Sequence, residues 1–138
     1  VGRTGVRVRV NNFPRIVAAL PGVGRQAVEE ALAEIETHIR LAMAASGSGR
    51  IYRRKDRTHQ ASAPGEAPAI DYGILSGSIQ QGMTGETSGA VYTNMLYAVY
   101  LEFGTRHLAA RPFMVPAADA IRPAFIEHLR SSLERGLR

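Results

Sequence analysis

The chain contains no cysteine, which excludes disulfides, thiolate metal sites and cysteine nucleophiles. Such a chain fits synthesis in a reducing compartment. Lysine is almost missing as well: the basic residues are 16 arginines and Lys55. No apolar run approaches the roughly 20 residues that a membrane helix needs. No basic, then apolar, then small-residue signal opens the sequence. Val1 is not an initiator methionine, which predicts a processed or trimmed start. Metal-ligand spacing is also lacking. His38, His59, His107 and His128 are scattered, and none pairs at i and i+4. No G-x-S-x-G elbow is present, and Gly77-Ser78 has the wrong frame. A triad assembled from Glu102, His107 and Ser76 or Ser78 rests on residue type alone. The sequence therefore predicts no catalytic residue, no cofactor and no metal, and the chain does not read as an enzyme.

The 138 residues form one expected domain, 1–138, with 45% apolar residues, enough for a real core. Net charge is +5, so the partner could be nucleic acid, a membrane surface or an acidic protein. Arginine bias from a GC-rich genome gives the same number without a function.

Val6, Val8 and Val10 alternate with Arg7 and Arg9, the period of a half-buried strand. Asn11 and Asn12 turn the chain, and Arg15 to Leu20 predict a helical turn or short helix. Pro21-Gly22-Val23-Gly24 then reads as a break. Val28, Leu32, Ile35, Ile39 and Ala42, with Ala27, Ala31 and Met43, predict a helix from about Arg25 to Ala45. Its glutamates Glu29, Glu30, Glu34 and Glu36 lie mostly on the outer side. Ile51 and Tyr52 can seed a strand, and the rest of residues 48–69 reads as a long, flexible basic loop, with Arg50, Arg53, Arg54, Lys55 and Arg57 against only Asp56. Loops of that length are uncommon unless functional or disordered. Gly73 to Ile79 predicts a short helix. Ser78 to Met83 and Ala90 to Thr93 predict a hairpin. Ala118, Ile121, Phe125, Leu129 and Leu133 predict a C-terminal helix that Pro123 either kinks or begins. The expected fold is α+β: two long helices packed on a small, mainly antiparallel sheet, with a long basic loop or arm.

The densest punctuation lies between Tyr97 and Met114. Asn94 is a candidate N-cap. Leu96, Tyr100 and Phe103 follow at spacings of four and three, giving one apolar helix face. Most of the aromatics Tyr92, Tyr97, Tyr100, Phe103 and Phe113 are expected in the core, with one or two at an interface. Gly104 suits a helix stop with positive φ. Pro112 and Pro116 suit the start of the next helix.

YAVYLEFGTRHLAARPFMVPA, from Tyr97 to Ala117, resembles the signature of the tail-component family of lambdoid-type tailed phages, the gene-product-ten-like proteins. That family combines a tyrosine-rich segment, E-F-G-T, a short basic loop and A-R-P-F-[LM]-x-P-A. Ala63 to Ala69 and Asp71 to Ile79 resemble a second block, A-P-x-x-[ST]-G-x-L-x-x-S-I, with Tyr72 where threonine or serine is common. The resemblance implies a virion structural protein at the neck or upper tail of a siphovirus-like phage, prophage or gene-transfer particle. Its role there would be head–tail joining, tail completion or tail termination. It implies a homo-oligomeric ring, sixfold, assembled in the host bacterial cytoplasm beside neck and tail-tube proteins. DNA in the lumen would be contacted without sequence reading, and no membrane is involved. Arg50, Arg53, Arg54 and Arg57 are then candidate arm residues. Tyr100, Glu102, Arg106 and Arg111 are candidates for interface or folding roles.

Other readings of the same residues stay open. Residues 50–58 can be a solvated loop, an arm that orders on a neighbouring subunit, or a DNA contact. Glu102 and Arg106 can pair across subunits or locally across the turn. Pro21-Gly22-Val23-Gly24 reads as a turn between helices. It also resembles the glycine turn of a helix-hairpin-helix, which makes a small non-sequence-specific DNA-binding module the alternative function. As G-x-G-x-x-A it resembles a dinucleotide fingerprint, but no second strand with an acid follows.

Overall fold

A computed structural model of the chain describes residues 7–10 and 21–136. The expected helical turn at Arg15 to Leu20 lies outside the described residues. Strand β1 is Arg7–Val10, and helix α1 is Pro21–Ala45. The hairpin strands β2 and β3 are Ile51–Arg53 and Thr58–Gln60. Helix α2, Ile74–Ser78, leads into β4, Gln80–Met83, and β5, Gly89–Tyr92. Helix α3 is Ala98–Phe103, and helix α4 is Met114–Gly136.

The architecture is α+β. Strand β5 is central in a three-stranded antiparallel sheet of order β1-β5-β4, with Val8 opposite Val91 and Gln81 opposite Val91 on the other side. Helix α1 packs on this sheet and along α4. Its inner face is the one that the sequence predicts: Val28, Leu32, Ile35, Ile39 and Met43 are fully buried. Each such side chain contributes roughly 1.5–3 kcal/mol by leaving water. Gly89 lets the helix approach β5 closely, because a Cβ there would lie 2.4 Å from Leu32 Cδ1. Phe113, just before α4, and Met114 and Ala117 on it close the same core. Ala27 and Leu129 form a smaller cluster with Val23, Phe125 and Leu133.

Two expectations are corrected here. Pro21-Gly22-Val23-Gly24 is neither a break nor a turn between helices; it is the first turn of α1. Proline at the first helical position forfeits only an N–H that has no intrahelical acceptor, so the helix starts there. Residues 21–24 are thus helical, and the residues before them lie outside the described ones. The segment 48–69 is not a structureless loop. Ile51, Tyr52 and Arg53 pair with Gln60, His59 and Thr58, and Arg54 N–H donates to the Arg57 carbonyl at 2.8 Å to close the turn. Pro123 lies inside α4, which begins nine residues earlier at Met114.

A candidate interaction surface

Glu102 organises the densest stretch. It is 4% exposed. Its Oε2 accepts the Phe113 and Met114 N–H groups at 2.8 and 3.0 Å, and its Oε1 accepts Val115 N–H at 2.9 Å. These are the N–H groups at the start of α4, which lack intrahelical acceptors. A carboxylate there also meets the positive end of the helix dipole. The expected Glu102–Arg106 pair is therefore not made within the chain: the carboxylate faces inward, and Arg106 is exposed.

Gly104 ends α3 with φ 72° and ψ 176°, its N–H donating to the Tyr100 carbonyl. A Cβ at this position would lie 2.8 Å from the Leu108 carbonyl oxygen and 2.9 Å from Ala110 N. The chain then turns back, and Arg111 N–H donates to the Leu101 carbonyl at 2.6 Å. The Arg111 guanidinium donates through Nε and Nη2, both at 3.3 Å, to the carbonyl of buried Ser62. Glu102 and Arg111 thus hold the fold together, binding α3, α4 and residues 61–63 into one unit.

The outer side of α3 is different. Leu96 (62%), Val99, Tyr100 (56%) and Phe103 (68%) are exposed, while Ala98 and Glu102 are the buried residues. The spacing predicts an apolar face, and the structure turns that face outward. Asn94 is not its cap; the N-cap is Tyr97, without a side-chain hydrogen bond. Beside it lies a groove of about 420 Å³ lined by Met43, Ile70, Tyr72, Ile74, Tyr97 and Leu108, among others. An exposed apolar helix face beside a groove is a candidate binding surface.

The hairpin β2–β3 borders the groove through His59 and Ala61. Its arginines divide into two sets. Arg54 Nη1 lies 2.8 Å from Asp71 Oδ2, and Arg57 Nη2 is bonded to Oδ1 of the same carboxylate. Arg57 also stacks 3.9 Å from the centroid of the Tyr72 ring. These two are tied to their own chain. Arg50 rests over Tyr52 at 5.3 Å. Arg53 and Lys55 are exposed, and no ion pair involves either of them among the described residues.

Sequence reasoning missed the acids that fix this region. Glu66 accepts N–H bonds from Ala63 at 2.8 Å and from Ser48 at 3.2 Å, together with the Ser48 hydroxyl. These donors, Ser48 foremost, hold its carboxyl down at about 2, against an ordinary 4.5. Asp71 had one available signal: it is the second acid after the basic run, following Glu66.

Among the described residues no three His, Asp or Glu side chains converge to hold a metal ion. No described helix is long and apolar enough to cross a membrane. Comparison of the chain with protein-family models, with curated proteins and with solved structures gives no match.

Proposed function

We propose that the protein is an assembly component of a tailed-phage particle, acting at the neck or upper tail in head–tail joining or tail completion. The particle and the place in it rest on the resemblance of residues 97–117. The assembly role rests on one observation: α3 buries a carboxylate and leaves Val99, Tyr100 and Phe103, with Leu96 just before it, in water. A helix laid down that way serves a partner, because large apolar residues at the centre of a patch are what protein interfaces bury. The locked Gly104–Arg111 return presents this face on a fixed frame, which limits the entropy lost on docking. In this reading the copies form a ring, sixfold by the resemblance, with the hairpin reaching toward a neighbour and no catalytic step.

Electron microscopy of particles made without this gene tests the proposal. Filled heads separated from tails, or tails of uncontrolled length, are the expected result and distinguish joining from termination. Intact, normally joined particles overturn it.

A further inference from the structure

The groove has an electrostatic setting that selects its occupant. Arg111 lines it, and the hairpin that borders it through His59 carries exposed Arg53 and Lys55, with Arg54 and Arg57 already bound to Asp71. The acids on this side are engaged: Asp71 by two arginines, and Glu66 by Ser48 and Ala63. What binds here should be apolar at its centre and acidic at its rim. Helix α1 carries such a surface. It holds four glutamates against two arginines, whereas α4 balances three acids with three arginines. On its outer side Leu41 is 64% exposed. Glu29 and Glu36 pair with Arg25 and Arg40. Glu30 accepts from Gln26 Nε2 at 3.0 Å and meets His128 at 3.1 Å, with no arginine beside it, and no ion pair involves Glu34 among the described residues.

Leu41 stands about 10 Å along the helix from Glu34 and about 16 Å from Glu30. The groove-lining His59 pairs with Tyr52, next to Arg53, and Lys55 lies in the turn that follows Arg53. Within one copy the two surfaces do not meet. Glu34 and Glu30 lie about 17 and 22 Å along α1 from Ala45, the end that leads to the hairpin.

Resting on the ring reading above, we propose that the groove and hairpin of one copy receive the outer face of α1 of a second copy. Leu41 enters the groove, and Glu34 and Glu30 meet Arg53 and Lys55. The two patches differ, so the contact is heterologous: each copy offers a groove to one neighbour and a helix to another, and the series closes as a ring.

The test reverses charge on either side and reads assembly by sedimentation velocity over a concentration series. Arg53→Glu with Lys55→Glu, and separately Glu30→Lys with Glu34→Lys, should each raise the assembly midpoint on the order of tenfold or more. An equimolar mixture of the two variants should regain assembly close to wild type, because each hairpin then faces an opposite charge on its neighbour. All four positions are outside the main core, and circular dichroism verifies that both variants fold. Wild type that assembles while neither variant loses assembly overturns this contact alone, as does loss that mixing fails to restore. Hairpin reversal that spares assembly and abolishes duplex-DNA retention assigns the hairpin to DNA and also overturns the contact. A wild-type chain that stays monomeric throughout overturns the ring reading with it.

Discussion

Glu102 does at a distance what an N-cap residue does locally. It supplies the acceptors for the N–H groups of Phe113, Met114 and Val115 from a different helix. Two of those bonds are fully buried, so truncation leaves donors without water or protein partners, at roughly 1–3 kcal/mol each. Glu102→Ala is expected to lower unfolding free energy by about 3 kcal/mol or more, read from urea denaturation. A loss below about 1 kcal/mol would refute the cap. Gly104→Ala should also destabilise, by about 2 kcal/mol or more, since positive φ and two backbone contacts oppose a Cβ there. Thermal melting checks this. Glu66 gives a pH dependence with a definite sign. Its folded pKa, about 2, lies below its ordinary 4.5. Its contribution is therefore complete above pH 4.5 and lost as pH falls through 2. Glu66→Gln should flatten the stability profile between those values, and an unchanged acid limb would contradict the role. None of these partners was legible in the sequence. A carboxylate satisfied by backbone N–H groups leaves no complementary side chain to find, so Glu102 was matched with the nearest cation, Arg106. Gly104 was legible, because a glycine stop after an apolar-periodic stretch has a local cause.

The elements divide by how local their determinants are. The inner face of α1 was readable because Val28, Leu32, Ile35 and Ile39 repeat at helical spacing, and α4 likewise through Phe125 and Leu129. The start of α1 was misread, since Pro-Gly-x-Gly suggests a break unless Pro21 is recognised as an opening residue. Strands β2 and β3 have three residues each, too short for alternation to register, and their order comes from Asp71, Tyr72 and Glu66 outside the hairpin. Helix α3 is the instructive case. Periodicity identified a face through Leu96, Tyr100 and Phe103 but carries no information on which side of the helix meets the core. Ala98 and Glu102 took the inner side because Glu102 must reach α4. Tyr100→Ser with Phe103→Ser is therefore expected to change unfolding free energy by less than about 1 kcal/mol, as exposed substitutions do. The same pair should abolish particle assembly in a complementation assay. A large stability loss would show the face to be internal packing.

At the scale of the whole molecule, charge is separated along α1. The acidic stripe lies toward its beginning, and the hairpin cations gather beyond its end. A net charge of +5 hides this polarity, and the sequence offered nucleic acid as readily as protein to explain the excess arginine. The two explanations differ in what remains when salt is added. At physiological ionic strength the screening length is about 8 Å, and at 1 M it is about 3 Å. A head-to-tail contact with an apolar centre and an ionic rim should weaken as sodium chloride rises and then level off, because Leu41 and the groove are indifferent to screening. Replacing chloride with sulfate at matched ionic strength should restore part of the loss, since excluded salts strengthen apolar burial. Purely electrostatic binding to DNA would instead fall log-linearly with salt, without a plateau. Sedimentation of the wild-type chain over such a series separates the two: a plateau that vanishes in Leu41→Ser places the apolar seat in the groove, and an unbroken decline removes it.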